Sequence, residues 1–422
     1  MLTLVLGLAL FGGSVVTGAT PQAPATNVRL TPQAYVAPIV PRVANGMHNA
    51  GLQAGSVAPC PKGVGSIRLW DNDTSWTRLQ PKPVAPNFTA LDHALAAARA
   101  CGVRDVLLVI GSTPAWAARS RVAGDYPAPG SASMVSYVKY WRAWVSLVVS
   151  HSKLKTAGAI QMQYQIWNEA NLPMMWRGSA ADMALLTALA YPIIKRIDPH
   201  ALVVAASTTL RLSNYRTWYS SYLANLAKYR WPVDVFSFHG YPASSGTPLT
   251  RDASILAFKS VLMASRAPTR PIWDTELNYG LRGPAATNTY RPITGALAAA
   301  YVAQTMLDSL RLGVARTYWY SWAPTNTLLG IQFQANTPGA LALATVSGWL
   351  AGRAWYGCIG PVASGLINCR SGIAQIMWST RSPVTVRVPA GVTKLIDPRG
   401  IISLVRAGQS VRIGVLPIWF GH

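Results

Sequence analysis

The chain contains only two glutamates among its 422 residues, Glu169 and Glu276. Glutamate is normally among the commonest surface residues, so this scarcity indicates that both have a specific use. Each ends an apolar and aromatic run typical of a buried strand, residues 163–168 and 271–275. Two carboxylates held at strand ends can serve as acid and nucleophile in the cleavage of a glycosidic bond. The alternative is a pair of salt-bridged structural carboxylates.

Other residues near a predicted strand end could support these carboxylates. Arg68 lies in an apolar run, residues 66–71, and alternation along a strand directs it inward. There it could keep Glu276 ionised through charge-assisted hydrogen bonds, although a surface arginine is the alternative. Trp70 shares the strand face of Arg68, whereas Asp71 falls on the opposite face and is a weaker candidate.

Strand-like runs alternate with amphipathic helical stretches along most of the chain. The predicted strands are residues 43–48, 66–71, 105–111, 161–169, 201–207, 233–240, 271–277 and 316–322. The predicted helices are residues 90–100, 134–151, 180–197, 215–229, 254–266 and 295–312. This alternation predicts a parallel (β/α)8 TIM barrel in the α/β class, whose active site is built by the loops after the strands. An open doubly wound sheet is the alternative, but no glycine-rich phosphate turn follows the first strand.

Both glutamates then lie at the mouth of one barrel, at the ends of the fourth and seventh strands. Asp274 is a rival to Glu276, because residues i and i+2 of a strand face the same side. It lies one step deeper, which predicts a place in the barrel interior. A neighbouring anion is expected to raise the pKa of Glu169. Trp116 and Trp176, in the loops after the third and fourth strands, are candidate stacking platforms or, alternatively, loop core.

The pattern changes after about residue 340. Short alternating runs separated by proline and glycine turns, at residues 374–379, 384–388, 394–397 and 410–416, predict a small antiparallel β module. The module is expected to be a structural accessory, and a carbohydrate-binding role would use Trp378 and Trp419. The predicted division is a signal peptide or N-terminal anchor (1–25), a Pro/Ala-rich linker (26–42), the barrel (43–335) and the C-terminal β module (336–422).

The N-terminal residues and the cysteines indicate export. Residues 1–18 are apolar and uncharged and precede small residues suited to cleavage, as in a secretory signal, with an uncleaved anchor as the alternative. The four cysteines form no CxxC pair and have no adjacent histidine, which argues against a zinc or redox site. An even number of cysteines after an export signal predicts disulfides, here Cys60 with Cys101 and Cys358 with Cys369.

The composition is that of a basic globular protein. Hydrophobic residues make up 50% and charged residues only 12% of the chain, which excludes a disordered protein. The net charge is +23, from 37 Lys and Arg against 14 Asp and Glu, but the basic residues form no cluster of nucleic-acid type. A basic surface favours anionic polymers or cell envelopes as partners. An arginine-rich coding bias without a specific partner is the alternative.

Several segments are similar to those of the (β/α)8 retaining glycoside hydrolases of clan A. They are Asn168-Glu169, Trp273-Asp274-Thr275-Glu276, residues 66–71 on the second strand and residues 111–117 after the third. Within that clan the chain most resembles the family 39 β-xylosidases and their extracellular polysaccharide-hydrolase relatives, over residues 43 to about 335.

The resemblance implies roles for individual residues. Glu169 would be the acid/base and Glu276 the nucleophile. Asn168 would hold the sugar 2-hydroxyl, His239 would orient the nucleophile or contact the sugar, and Trp322 would form an aromatic floor. For His239 a structural histidine is the alternative. The full set expected to bind substrate is Arg68, Trp70, Trp116, Asn168, Trp176, His239, Tyr241, Asn278 and Trp322.

The expected function is therefore a retaining glycosidase that acts on a polysaccharide, oligosaccharide or glycoconjugate. We expect no metal or organic cofactor, no nucleic acid and no obligate protein partner, and a secreted or envelope-associated location. The alternatives are a non-catalytic glycan-binding protein on the same scaffold and an envelope protein that binds an anionic polymer. A binding module has no need for both carboxylates, which argues against the first. Xylosides, arabinan, galactan and glucans all remain open as substrates.

Overall fold

The structure is a computed structural model that describes residues 37–49, 59–128, 138–283, 288–324 and 328–421. The predicted signal or anchor and most of the predicted linker lie outside the described residues. The last residues of the predicted linker pair with the chain beyond the barrel. Ile39 forms a β-bridge with Ala354, and the Val40 N–H donates to the Arg353 carbonyl at 2.9 Å.

Eight parallel strands form a nearly closed barrel, which confirms the predicted fold class. They are β1 (Asn45–Asn49), β2 (Ser66–Leu69), β3 (Asp105–Val109), β4 (Gln161–Gln165), β5 (Val203–Val204), β6 (Phe236–His239), β7 (Ile272–Leu277) and β8 (Val314–Trp322). Their order in the sheet is β5-β4-β3-β2-β1-β8-β7-β6. An isolated parallel bridge between Val204 and Val235 lies at the seam between β5 and β6.

The helices cover the outside of this barrel. After a short 3-10 helix (Arg42–Ala44), they are α1 (Trp76–Leu79), α2 (Thr89–Ala100), α3 (Lys139–Thr156), α4 (Ala180–Ile197), α5 (Tyr215–Lys228), α6 (Pro248–Ala264), α7 (Gly295–Arg311) and α8 (Pro338–Leu350). Two of these helices, α1 and α8, are not among the predicted ones, and α6 begins six residues before the predicted residue 254. Thr247 caps that helix and Pro248 occupies its first turn, where proline is favoured.

The strands that carry the candidate carboxylates differ in how far they extend. β7 includes Glu276, but β4 ends at Gln165, so that Glu169 lies in the following loop. The backbone of Glu169 has φ = 41°, in the left-handed region, which a strand cannot accommodate. The loop conformation, rather than the strand, therefore positions this side chain.

The C-terminal strands form an antiparallel module, as predicted. They are β9 (Trp355–Ile359), β10 (Leu366–Ser371), β11 (Ala374–Ser379), β12 (Val384–Arg387), β13 (Lys394–Ile396), β14 (Ile402–Leu404), β15 (Ser410–Ile413) and β16 (Ile418–Gly421). β12 pairs with β15, and the other six strands make a sheet in the order β14-β13-β16-β11-β10-β9. The suggestion that Trp378 and Trp419 are sugar platforms is wrong, because both are buried. Trp419 stacks on Trp349 of α8 at 5.6 Å and joins the module to the barrel helices.

Both expected disulfides are present, Cys60–Cys101 and Cys358–Cys369. The second joins the neighbouring strands β9 and β10, where the two cysteines are register partners. Disulfides of this kind are typical of proteins that leave the reducing cytosol. Among the described residues, none of the helices combines the length and the apolar character needed to cross a membrane.

Candidate active site

Glu169 is held in place from the loop that follows β5. Its backbone N–H donates to the Ser207 hydroxyl at 3.1 Å, and the Ala170 N–H donates to the Ser207 carbonyl at 2.9 Å. A left-handed backbone costs a residue with a Cβ about 1–2 kcal/mol, so these contacts stabilise an otherwise unfavourable conformation. The result is a carboxyl group that exposes only 13% of its side-chain surface.

Glu276, at the end of β7, has a hydrogen-bond partner on each carboxylate oxygen. Arg68 Nη1 donates to Oε2 at 2.7 Å, and the Tyr241 hydroxyl donates to Oε1 at 2.8 Å. Two donors on opposite oxygens fix the plane of the carboxylate. Glu276 is therefore presented to the barrel mouth in one orientation.

A β-bulge in β7 separates Glu276 from Asp274. His239 pairs in register with Glu276 and Phe238 with Asp274, so Thr275 is left as the extra residue. The predicted interior position of Asp274 is wrong, because the bulge breaks the period-two alternation. Asp274 instead accepts hydrogen bonds from Arg251 of α6 at 2.8 Å and from the Gly240 N–H at 2.8 Å.

That buried pair explains why position 240 is glycine. A Cβ on Gly240 would lie 2.2 Å from Asp274 Oδ2. Burial raises the pKa of Asp274 to about 6, against the opposing effect of Arg251. With no exposed surface, Asp274 cannot meet a substrate.

Arg68 is fully buried and connects the elements around the barrel mouth. Its guanidinium donates to Gln165 Oε1 at 2.8 Å, to Asn168 Oδ1 at 2.7 Å and to Glu276 Oε2 at 2.7 Å. His48 of β1 lies against Nη1 at 2.9 Å. These contacts place a fixed positive charge between β2, β4 and β7, and they orient Asn168 beside the carboxylates.

His239, at the end of β6, lies between the two glutamates. Burial lowers the pKa of His239 to about 3, so the ring is neutral at ordinary pH. Arg68 can only donate, and its Nη2 approaches the ring Nε2 at 3.5 Å, so we assign the ring proton to Nδ1. Nδ1 then donates to Glu169 Oε1 at 3.0 Å.

Burial raises the pKa of Glu169 to about 7, while the charges of Arg211 and Arg68 act to lower it. The expected cause of the increase, a neighbouring anion, is therefore wrong. At neutral pH the side chain exists in both protonation states. A group of this kind can donate a proton in one step and accept one in the next.

A cavity of about 300 Å³ opens above these groups. Its described lining is Trp70, Asp71, Asn168, Glu169, Met175, Arg211, Tyr241, Glu276, Leu281, Arg282, Tyr320 and Leu328. The weak candidate Asp71 is thus part of the site. Burial acts to raise the pKa of Asp71, but His48 and the Tyr320 hydroxyl, which donates to Oδ2, lower it to about 2.

The structure does not bring Trp116, Trp176, Asn278 and Trp322 to this cavity. Trp176 is buried and lies edge-on to Trp167 at 4.9 Å within the loop core. The indoles of Trp116 and Trp322 donate to loop carbonyls at 2.8 and 2.6 Å. The Asn278 amide donates to carbonyls around the loop that follows β8. In each case the polar group is satisfied within the protein, so the residue supports a loop.

Three functional candidates in the cavity or behind it escaped the sequence analysis: His48, Arg211 and Tyr320. His48 ends the first predicted strand and Tyr320 lies on the eighth, so the strand-end rule could have found both. Arg211 lies in the irregular loop after β5, where no motif marks it.

One group of potential metal ligands occurs among the described residues, and it is the same site. One oxygen each from Glu169 and Glu276 and one His239 nitrogen lie within 4.8 Å of one another. The Arg68 cation already occupies Glu276 Oε2 at 2.7 Å and would repel a divalent ion bound there. The two carboxylates and the histidine are therefore better suited to proton transfer than to binding a metal ion.

The fold is that of the clan A glycoside hydrolases. No protein-family model matches the chain, and no curated protein matches its sequence. Among solved structures, a family 39 glycoside hydrolase from the gut symbiont Bacteroides cellulosilyticus WH2 superposes with a TM-score of 0.61 at 16% identity, covering 90% of this chain and 81% of that chain.

Two further structures extend this likeness. A monomeric β-xylosidase from Caulobacter crescentus CB15 has a TM-score of 0.64 at 15% identity, covering 92% of this chain and 98% of that chain. The GH51 arabinofuranosidase from Xanthomonas axonopodis pv. citri has a TM-score of 0.57 at 10% identity, covering 91% and 97% respectively. The expected structural resemblance to clan A is thereby confirmed. At such low identity it establishes the fold alone.

Proposed function

We propose that this protein is a retaining glycoside hydrolase that cleaves O-glycosidic bonds of a polysaccharide or glycoconjugate by double displacement. The observation that carries the proposal is the spacing of Glu169 and Glu276, whose nearest oxygens lie within 4.8 Å. Retaining enzymes hold their two carboxyl groups about 5–5.5 Å apart, whereas inverting enzymes separate them by about 6.5–9.5 Å to admit a water molecule.

In the first step, a Glu276 oxygen attacks the anomeric carbon and forms a glycosyl ester. The bond to the leaving oxygen breaks, and protonated Glu169 gives that oxygen its proton. Arg68 and Tyr241 hold Glu276 in line for the attack. In the second step, the Glu169 carboxylate takes a proton from water, and the water oxygen displaces Glu276 from the sugar.

The neighbouring residues suit these two roles. Asn168 is fixed by Arg68 at 2.7 Å and can contact a sugar hydroxyl next to the anomeric carbon. His239 donates to one oxygen of Glu169, which leaves the other oxygen for the leaving group or the water. Trp70 and Tyr320 line the cavity and can pack against an apolar sugar face.

The proposed setting is outside the cytosol, on a secreted or envelope-associated protein. It is supported by the two disulfides and by the apolar N-terminal sequence. The net charge of +23 suits a substrate in an anionic envelope.

The test is a screen of plant and bacterial-envelope polysaccharides, with products separated and the anomeric form of the first product read by NMR. Active wild-type protein, retained configuration and an inactive Glu276→Ala variant are the expected results. Asp73→Asn is the matched control, because Asp73 is an exposed carboxylate that pairs with Arg78 at 3.5 Å and is not part of the described cavity lining. Inverted product, or a Glu276→Ala variant as active as wild type, would overturn the proposal.

A further inference from the structure

Arg211 lines the cavity and has hydrogen-bond donors that no group in the described part of the chain accepts. It lines the cavity beside both glutamates, with its guanidinium centre 5.4 Å from the centre of the Tyr241 ring. Its Nε and Nη1 atoms are buried and have no hydrogen-bond partner among the described residues. Buried donors without acceptors are unfavourable, so a ligand that supplies an acceptor here would be bound more tightly.

Arg68, which is fully buried and bonded to Glu276 of the cavity lining, is an arginine whose donors are satisfied within the protein. Its donors are taken by Gln165, Asn168 and Glu276, and its charge is matched by Glu276 at 2.7 Å. Arg211, by contrast, forms no ion pair within the described part of the chain. Its positive charge acts on Glu169 and Glu276 from a distance, but neither carboxylate contacts it as an ion pair.

Arg282 adds a second unmatched cation at the rim of the cavity. Its backbone N–H donates to the Leu328 carbonyl at 3.0 Å, which fixes the position of the residue. Its side chain is exposed and, among the described residues, has no hydrogen-bond or ion-pair partner. Two guanidinium groups thus border one cavity without a carboxylate of their own.

The carboxylates of the cavity are already engaged by other groups. Asp71 accepts from the Tyr320 hydroxyl, Glu169 from His239 and Glu276 from Arg68. A neutral sugar could accept hydrogen bonds from the two arginines but would leave both charges without an ion-pair partner. A planar guanidinium fits a carboxylate, sulfate or phosphate through paired, charge-assisted bonds.

We propose that Arg211, assisted by Arg282, binds an anionic substituent of the glycan. The substituent is the carboxylate of a uronic acid or a sulfate or phosphate ester. This inference rests on the proposed glycosidase function and narrows its substrate to acidic glycans. The net charge of +23 would help to draw such a polymer to the protein.

The test measures binding in the full chain carrying Glu276→Gln, so that no turnover is required. Calorimetry compares an oligomer of a uronic acid polysaccharide with its carboxyl-reduced counterpart, and sulfated or phosphorylated oligomers with their neutral forms. We expect one acidic form to bind more tightly than its neutral counterpart. Adding Arg211→Met should reduce that preference by roughly 10- to 100-fold, the effect expected for lost charge-assisted hydrogen bonds. The oligomer that shows the preference, whether uronic, sulfated or phosphorylated, identifies the anionic group that Arg211 binds.

Arg216→Met is the matched control. The Arg216 guanidinium also lies 5.4 Å from a tyrosine ring, that of Tyr215, but it is outside the cavity. It should leave the preference unchanged, whereas an equal loss in this control would indicate non-specific attraction and overturn the inference. Equal binding of acidic and neutral forms, or a preference that survives Arg211→Met, would overturn it as well.

Arg282→Met is the second test variant if Arg211→Met does not fold. Because Arg282 is exposed, its replacement should not disturb folding. It should weaken the acidic preference, and an unchanged preference would then contradict the inference. Failure of the proposed function looks different. If the protein prefers acidic oligomers but hydrolyses no glycan, the proposed glycosidase function is refuted and the acidic preference stands. If it hydrolyses only neutral glycans, the acidic specificity is refuted and the glycosidase function stands.

Discussion

Replacing Glu169 by Gln should remove the alkaline side of the pH profile. Burial raises the pKa of Glu169 to about 7 from its ordinary 4.5. At pH 6, a pKa of about 7 leaves roughly nine-tenths of the side chains protonated, whereas 4.5 would leave roughly 3%, about a 30-fold difference in the acid form. Because the proposed general acid must carry its proton, kcat/KM of the wild-type protein should fall as the pH rises through about 7.

The size of the loss should depend on the leaving group. Gln keeps the shape of the side chain but cannot donate an acidic proton. A poor leaving group needs that proton, so its kcat/KM should drop by about 10²- to 10⁴-fold in Glu169→Gln. A 2,4-dinitrophenyl leaving group departs without protonation, so its kcat/KM should change little.

The assay measures kcat/KM from about pH 5 to pH 9 on aryl glycosides of the sugar found in the polysaccharide screen. Asp73→Asn, which changes an exposed carboxylate outside the described cavity lining, should reproduce the wild-type profile. An alkaline limb near pH 7 that persists in Glu169→Gln would refute the assignment. Equal losses for good and poor leaving groups would refute it too.

Three further predictions concern stability and the support of the nucleophile. The pKa of Glu169 is raised in the folded protein, which disfavours the charged side chain, so the free energy of unfolding falls as pH rises from 4.5 to about 7. In urea unfolding, the free energy of unfolding of Glu169→Gln should equal that of wild type at pH 4 and exceed it by up to about 3 kcal/mol at pH 8. Tyr241→Phe removes one hydrogen bond to the proposed nucleophile, so kcat should fall by roughly 10- to 100-fold in steady-state kinetics, and an unchanged kcat would contradict that role. Arg251→Met leaves Asp274 buried without its cation and should cost about 3–5 kcal/mol in urea unfolding, whereas Arg78→Met at an exposed pair should cost less than about 1 kcal/mol.

The features that could be predicted from sequence are those governed by local periodicity. The alternation of strands and helices gave the barrel, and the position of Arg68 followed from simple strand alternation. The scarcity of glutamate pointed to Glu169 and Glu276, which the fold brings to one cavity. The barrel and Arg68 need only regular periodicity, whereas the predicted position of Glu169 within the fourth strand is wrong, because β4 ends at Gln165.

The features that could not be predicted depend on irregular backbone and contacts between distant loops. One extra residue in β7 turns Asp274 away from the barrel interior, and no sequence signal marks that bulge. Trp176 looked like a sugar platform by position, but its packing on Trp167 belongs to the loop core. Arg211 enters the site from a loop whose path is fixed only by the fold.

The most direct measurement of the central claim is covalent trapping of the nucleophile. An activated 2-deoxy-2-fluoro glycoside of the preferred sugar should form a stable glycosyl ester, because the fluorine slows both steps and the activated leaving group restores the rate of the first step alone. Peptide mass spectrometry should find one added sugar on the peptide that contains Glu276, and on no other residue. Label on Asp71 instead, or complete turnover of the reagent without any adduct, would contradict the double-displacement mechanism with Glu276 as nucleophile.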